Sequence, residues 1–149
     1  MADKVQFELV APEKLLLSEA VDMVVVPGSE GNFGVLPDHA LFISTVRPGI
    51  IDVYDDKTVT ERIFVSGGFA EVTPERCTVL ADEAVPVASL DRATIEGQVK
   101  TAESAIAVLR EQLQRASGAE RDDLLLKLRA AERQLAVALA KLAAIGAVH

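Results

Sequence analysis

The sequence predicts a two-part protein: a flattened sandwich or barrel of short antiparallel strands over residues 1–88, followed by an antiparallel two-helix hairpin over residues 89–149. Up to about residue 88, short apolar runs alternate at regular intervals with glycine, proline and aspartate turns, which is typical of antiparallel β-structure. Beyond that point, apolar residues recur every three or four positions, which is the spacing of one buried stripe on a helix.

The predicted strands follow one another with turn residues between them. In the first strand, Val5, Phe7 and Leu9 alternate with polar residues, so one of its faces is predicted to be buried. The later predicted strands are 21–26, 41–46, 50–54, 58–65, 69–72 and 77–84. Pro86 ends the last of them, since proline cannot continue a ladder of backbone hydrogen bonds.

Two helices with similar apolar spacing make up the predicted hairpin. The first stripe is Ile95, Val99, Ala102, Ile106, Leu109, Leu113 and Ala116, and the second is Leu124, Leu128, Ala131, Leu135, Ala138, Leu142 and Ile145. Either Ser89 or Asp91 can cap the first helix, and Gly118 can take the left-handed conformation that ends it. Because such stripes can pack on each other, on the preceding part or on another protein, the hairpin is a candidate moving or docking element.

Charge and composition exclude several classes of function. The formal net charge is −8, and the acidic excess lies in residues 1–89, which carry 15 acidic and 6 basic side chains. No basic patch is available to neutralise nucleic-acid phosphates, and five phenylalanines and one tyrosine offer little surface for base stacking. No apolar run reaches the about 20 residues of a membrane span, and the N-terminus has no targeting pattern. These features predict a cytoplasmic, peripheral protein.

The glycine-rich stretch 27–40 is the first place to look for a ligand. A phosphate-binding loop needs a glycine turn that opens a helix and ends in Lys-Ser or Lys-Thr, whereas these glycines lead into further strands. They are better explained as turns with positive φ that expose Ser29, Glu30 and Asn32. The sequence therefore predicts a contact surface here.

The residues needed for a catalytic or metal site are missing from the sequence. His39 has Asp38 beside it, but adjacent residues on an extended chain point apart, and no nucleophile motif surrounds the serines. The other histidine, His149, is the last residue, and the Cys/His spacing of a metal site is absent. We therefore predict no catalytic residue and no metal ligand, with His39 as a structural residue at a turn and Cys77 as a buried strand thiol.

A series of motifs resembles one family. The motifs are Gly28-Ser29-Glu30-Gly31-x-x-Gly34-Val35-Leu36-Pro37-x-His39-Ala40, Arg47-Pro48-Gly49, Ser66-Gly67-Gly68-Phe69-x-Glu71-Val72 and Thr78-Val79-Leu80-Ala81-Asp82. In order and spacing they resemble the ε subunit of bacterial F-type ATP synthases, and the resemblance covers the whole chain. It implies a sandwich of about ten strands seated beside the γ subunit on the rotor ring. It also implies a hairpin that either folds on the sandwich or extends along γ.

The resemblance implies a non-catalytic central-stalk subunit that couples the catalytic head to proton-driven rotation of the membrane ring, at the cytoplasmic face of the bacterial inner membrane. The implied partners are γ, the ring of c subunits and, through the tail, the catalytic β and α subunits. The implied contact with the ring consists of Ser29, Glu30, Gly31, Asn32 and Phe33, with His39 at the same end. The acidic sandwich would suit a basic surface on γ. The alternative is a free-standing β-sandwich interaction module that docks a partner through its hairpin.

In bacterial relatives the tail can also inhibit ATP hydrolysis, by presenting basic residues to an acidic segment of the catalytic β subunit. The corresponding candidates are Arg115, Arg121, Lys127, Arg129 and Arg133. The same charges could instead pair with acidic neighbours at helical spacing, such as Glu111, Asp123 and Glu132. The sequence leaves both interpretations open. The second helix is rich in alanine, whose small side chains bury little area, so a docked hairpin is predicted to be held only marginally.

Some relatives bind ATP through an Ile/Leu-Asp-x-x-Arg-Ala motif at the first helix. Here Leu90-Asp91 matches, but Thr94 occupies the arginine position and Arg92 lies two residues earlier. Two residues turn a side chain by about 200° around a helix, so Arg92 does not replace the missing arginine. A glutamate of the ATP-binding relatives corresponds to Val85. The sequence therefore predicts weak or absent ATP binding, and no cofactor.

Overall fold

The computed structural model describes residues 3–12 and 14–147, so His149 lies outside the described residues. Two compact units make up the chain, Met1–Ser89 and Leu90–His149. Within the described residues, no helix combines the length and apolar character that crossing a membrane requires.

The described part of the first unit contains ten strands. They are β1 (Val5–Ala11), β2 (Lys14–Val21), β3 (Met23–Gly28), β4 (Gly31–Val35), β5 (Phe42–Val46), β6 (Gly49–Asp55), β7 (Thr58–Val65), β8 (Gly68–Val72), β9 (Arg76–Ala81) and β10 (Ala84–Pro86). They are hydrogen-bonded in the order β10-β7-β6-β3-β5-β8-β9-β1-β2, with β4 on β3. The sheet curls into the predicted flattened sandwich, and a single 3₁₀ turn, Val87–Ser89, follows β10.

Alternation along the strands places the core between the two layers. Val5, Phe7 and Leu9 of β1 are buried, as the sequence predicts, and they belong to one cluster with Val24 of β3 and Val53 of β6. Because these residues face inward at every second position, the residues between them face solvent.

Several strand predictions need correction. The predicted strand 21–26 is β3, which starts at Met23, and the preceding strand β2 was missed because Leu15, Leu16 and Leu17 form an apolar run without alternation. The predicted strand 77–84 is two strands, β9 and β10. In addition, β1 pairs with β9 in parallel, with Phe7 opposite Cys77. This pair has no turn signature because its strands are far apart in sequence.

The second unit is the predicted hairpin of α1 (Arg92–Leu113) and α2 (Gly118–Ala147). All fourteen residues of the two predicted stripes are buried or half-buried. Ile95 of α1 packs with Ala138 and Ile145 of α2 in one cluster. The antiparallel packing of two amphipathic helices is therefore what closes this unit.

The ends of α1 differ in part from the prediction. Asp91, rather than Ser89, is the N-cap, and its carboxylate accepts the backbone N–H of Thr94 at 3.0 Å. At the other end α1 stops at Leu113 and tightens through 3₁₀ bonds such as Arg115 N to Gln112 O at 3.1 Å. Gly118 does have a positive φ, of 61°, but it begins α2 and does not end α1.

Candidate functional site

The stretch predicted to be a glycine-rich loop is a tight β-hairpin. Strands β3 and β4 pair from Val24 and Val35 up to Gly28 and Gly31, which leaves only Ser29 and Glu30 at the turn. Of the three glycines, only Gly31 has a positive φ, so the prediction of repeated positive-φ turns was wrong. Gly28 is small for a different reason: a Cβ there would lie 2.7 Å from the carbonyl oxygen of Gly31.

The structure brings the predicted ring-contact residues together at this hairpin. We call Ser29, Glu30, Gly31, Asn32 and Phe33 the contact hairpin. The first four are exposed, and Phe33 is half-buried.

An aromatic contact joins His39 to the contact hairpin. The ring of Phe42 packs edge-on against Phe33, with centroids 5.1 Å apart, and its centroid lies 6.5 Å from that of His39. His39 also donates its Nδ1–H to the carbonyl oxygen of Ala40 at 2.9 Å. The two predicted parts of the contact surface are therefore neighbours, and Phe42, which sequence reasoning missed, lies between them.

Thr45 of β5 and Arg47, which follows that strand, attach to the contact hairpin. Thr45 donates its hydroxyl to the Ser29 hydroxyl at 2.7 Å, and its carbonyl accepts the Ser29 N–H at 3.0 Å. The Arg47 guanidinium donates to the side-chain oxygen of Asn32 at 2.6 Å and to the carbonyl of Gly28. Sequence reasoning missed this role of Arg47, because no local pattern connects Arg47 with Asn32.

An apolar row crosses the outward face of β8, β9, β1 and β2. Phe69 lies opposite Leu80, Leu80 opposite Val10, and Val10 opposite Leu15. We call these four residues the outer row. Phe69, Leu80 and Leu15 are 57%, 53% and 57% exposed. Since a contiguous exposed apolar patch marks an interaction site on a protein surface, this face is a candidate docking surface.

Alternation in the sequence identifies Val10, Phe69 and Leu80 as outward-facing, whereas Leu15 lies in β2, the strand that the sequence pattern missed. Alternation does not join the four residues into a row, because the row depends on the parallel pairing of β1 with β9. The outer row was therefore beyond the reach of the sequence.

The five basic candidates of the hairpin differ in their surroundings. Arg115 pairs with Glu111 at 3.4 Å and Lys127 with Asp123 at 3.1 Å. Arg121 donates to the carbonyl of Leu113 at 3.1 Å and so satisfies the end of α1. Neither Arg129 nor Arg133 has a carboxylate within 4 Å among the described residues. Glu132, a neighbour in sequence, pairs instead with Arg110 of α1 at 3.5 Å.

Two predictions about chemistry concern the thiol of Cys77 and the binding of metal ions. Cys77 is fully buried, and burial raises the pKa of its thiol to about 12, so the thiol is inert at neutral pH. Among residues 3–12 and 14–147, no cluster of three or more His, Cys, Asp or Glu could hold a metal ion.

The position of the ATP motif is occupied by a helix cap. The Asp91 carboxylate accepts both the backbone N–H of Thr94 at 3.0 Å and its hydroxyl at 2.6 Å. These two hydrogen bonds lower the pKa of Asp91. The aspartate and the residue at the arginine position therefore bond to each other.

Comparisons with known proteins place the chain among subunits of one assembly. Residues 4–87 match the family model described as ATP synthase, Delta/Epsilon chain, beta-sandwich domain. The chain is 50% identical over 120 residues to the ATP synthase epsilon chain of Rhodospirillum rubrum, covering 80% of this chain and 90% of that protein. It is 64% identical over 104 residues to the ATP synthase epsilon chain of Rhodospirillum centenum, covering 66% and 71%.

A solved structure supports the fold. One chain of the cryo-EM structure of Euglena gracilis mitochondrial ATP synthase, OSCP/F1/c-ring in rotational state 1, superposes with a TM-score of 0.70 at 24% identity. The match covers 100% of this chain and 84% of that chain. The likeness therefore includes both the sandwich and the hairpin.

Proposed function

We propose a function from one premise: this chain belongs to the family of ATP synthase epsilon chains. It is a stalk subunit of the synthase and not one of its catalytic subunits. The observation that carries this is the match to the Rhodospirillum rubrum epsilon chain. The aligned region has 120 residues, which is more than the sandwich contains, so it extends into the hairpin. The chain therefore associates peripherally with the membrane through the synthase.

In this role the chain couples the catalytic head to proton-driven rotation of the membrane ring. Its partners are the γ subunit, the ring of c subunits and, through the hairpin, the α and β subunits. We place it on the cytoplasmic face of a bacterial inner membrane. The alternative of a free-standing interaction module is not favoured, because the relatives described above are subunits of one enzyme.

The contact hairpin is the proposed site of contact with the ring. Ser29, Glu30 and Asn32 are exposed polar groups at the tip of two paired strands, so they can meet polar loops of a partner. Torque passes through such a contact only if the hairpin does not bend, and its bonds to Thr45 and Arg47 supply that stiffness. His39 and Phe42 extend the same surface.

The outer row is the proposed docking surface for γ. Stable interfaces have an apolar centre from which water is excluded, and Phe69 and Leu80 lie side by side on adjacent strands and are more than half exposed.

We expect the double variant Phe69→Ser/Leu80→Ser to bind γ at least tenfold more weakly, because burying one such side chain contributes about 1.5–3 kcal/mol and 1.4 kcal/mol is a factor of ten. The measurement is the dissociation constant of the full chain and γ, by surface plasmon resonance. Leu126→Ser is the matched control, since Leu126 is 66% exposed on α2 of the other unit. Wild-type affinity of the double variant would remove the outer row from the γ interface.

ATP binding by the isolated chain is expected to be weak or absent. Thr94 stands where ATP-binding relatives have arginine, and Asp91 is engaged as the helix cap. Isothermal titration of the full chain with ATP should therefore give no saturable heat in the micromolar range. The control is the same titration of an epsilon chain that carries the complete motif. Saturable micromolar binding to this chain would contradict the prediction.

A further inference from the structure

Arg47 bridges β3 and β4, the two strands that the contact hairpin connects. Its guanidinium reaches the carbonyl of Gly28 on β3 and the side chain of Asn32 on β4, and its own N–H donates to the carbonyl of Pro27 at 2.9 Å. We propose that Arg47 is the positioning residue that fixes the direction of the contact hairpin. This proposal rests on the proposed contact between that hairpin and the ring.

The backbone alone attaches the hairpin tip to β5 only weakly. Strand β3 is registered with β5 at a single pair, Gly28 opposite Val46. Beyond this pair, the tip is held by the Ser29–Thr45 bonds and by the guanidinium. A planar guanidinium can donate to two acceptors at fixed angles, whereas a lysine ammonium is a compact charge on a flexible stem. Lysine should therefore replace this arginine only in part.

Hydrogen exchange measured on the full chain tests the anchoring. We expect the amides of residues 28–33 to exchange about ten- to a hundredfold faster in Arg47→Met, because two charge-assisted hydrogen bonds are lost, and to an intermediate degree in Arg47→Lys. The control is Arg62→Lys on β7, where the arginine lies 3.7 Å from Asp52 and does not touch the hairpin. Unchanged exchange in Arg47→Met would overturn the proposal.

The assembled synthase tests the consequence for coupling. With Arg47→Met, we expect ATP hydrolysis to continue while fewer protons are pumped per ATP, and we expect Arg47→Lys to restore part of the loss. If Arg47 only stabilised the fold, the number of protons pumped per ATP would not fall unless the melting temperature or the hydrolysis rate also fell. Faster exchange without any loss of pumping would support the anchoring of the hairpin by Arg47 but would refute the proposed contact between the hairpin and the ring.

A second inference concerns two glutamates that face inward. Glu19 of β2 lies opposite Phe7, and Glu61 of β7 lies opposite Val53, and both apolar partners are fully buried. Directly opposed residues share a face of the sheet, so both carboxyls point toward the interior. They line one cavity of about 420 Å³. Apart from the carboxyl of Glu19, no group among the described residues is placed to donate a hydrogen bond to the shielded Oε2 of Glu61.

We infer that the two carboxyls share one proton and form a pH-sensitive clasp between β2 and β7. Two ionised carboxylates offer only acceptors and repel each other, whereas one protonated carboxyl can donate to the other. The hydrogen bond with Glu19, together with burial and the charge of Glu19, raises the pKa of Glu61 to about 7. The two carboxyls are therefore hydrogen-bonded to each other in mild acid, and they lose the shared proton and repel each other as the pH rises through neutrality.

The other charged groups at the cavity do not neutralise the pair. Lys4, the only cation among the described residues that line it, donates to Asp22 at 2.5 Å and lies 3.8 Å from Asp55 of β6. Tyr54 of β6 also lines the cavity. Because Lys4 is shared between two other carboxylates, it offers Glu19 and Glu61 little compensation.

The linkage between protonation and stability has a definite sign. The pKa of Glu61 in the folded chain, about 7, lies above its ordinary value of 4.5. The folded chain therefore retains a proton that the unfolded chain has lost, so the stabilisation is complete below about pH 4.5 and declines until about pH 7. Burial also raises the pKa of Asp52, which adds a slope of the same sign to every variant that keeps Asp52.

Thermal unfolding of the full chain between pH 5 and pH 8 tests the clasp. We expect the melting temperature of the wild type to fall by about 2–4 °C across this range, and the profile of Glu61→Gln to be flatter, because a carboxamide donates to Glu19 without titrating. Glu71→Gln, on the exposed face of β8, should keep the wild-type slope. The carbon-13 shift of the wild-type Glu61 carboxyl should have a midpoint near pH 7. Titration of both glutamates near pH 4.5 would overturn the inference, whether or not the variants fold.

Discussion

Gly68→Ala is expected to lower the free energy of unfolding of the chain by about 3–5 kcal/mol, or to prevent folding of the sandwich. A Cβ at Gly68 would lie 1.9 Å from the carbonyl oxygen of Leu80 and 2.9 Å from its carbonyl carbon. The φ of Gly68 is 143°, a region that costs other residues about 1–3 kcal/mol, and overpacking adds a similar cost.

The obstructing backbone has little room to retreat. Leu80 is held on both sides, since it lies opposite Phe69 of β8 and opposite Val10 of β1. Any shift of Leu80 would therefore disturb two ladders of hydrogen bonds.

Urea unfolding of the full chain, followed by circular dichroism, measures this cost. Gly31→Ala is the matched control, because its φ of 134° is similar but no atom lies within 4 Å of the position of its Cβ. The control should cost only the backbone strain of about 1–3 kcal/mol. If the two variants are equally destabilised, steric overlap with Leu80 is not what requires glycine at position 68.

The features that could be predicted from the sequence are those that a local periodic pattern of apolar residues indicates. Val5, Phe7 and Leu9 repeat with the period of a strand, and the two helical stripes repeat with that of a coiled helix pair, so burial followed from the pattern. Strand β7, predicted as 58–65, has those bounds because turn residues flank it on both sides.

The features that were missed depend on contacts between distant residues. Strand β4 was read as loop because its glycines suggested positive φ, yet Gly28 and Gly34 lie in strands and Gly28 is constrained by the space beside Gly31. The bond from Arg47 to Asn32 and the pairing of Leu80 with Val10 join segments that no local pattern connects. The positions of the contact-hairpin residues followed from the family resemblance, whereas the way they are held required the structure.

The family resemblance implies that the hairpin can inhibit ATP hydrolysis, and the surroundings of the five basic candidates favour two of them. Arg115 and Lys127 have carboxylates one helical turn away, and Arg121 is bonded to the end of α1. Arg129 and Arg133 lie one turn apart on α2 and have no ion pair within the described residues. They can meet an acidic partner without first breaking a bond, so we propose that they are the inhibitory pair.

In the assembled synthase, ending the chain after Ala88 is expected to raise ATP hydrolysis several-fold while ATP-driven proton pumping is retained. Arg129→Ala/Arg133→Ala should reproduce at least about twofold of that rise and should not exceed it, since each of the two lost ion pairs contributes at least about 0.2 kcal/mol. Arg115→Ala/Lys127→Ala is the control and should change hydrolysis less, because its charges are already paired. If truncation raises hydrolysis but Arg129→Ala/Arg133→Ala does not, other residues of the hairpin are responsible for the inhibition. Unchanged hydrolysis on truncation would limit the necessary work of the chain to its sandwich, and loss of pumping would show that the hairpin supports the stalk itself.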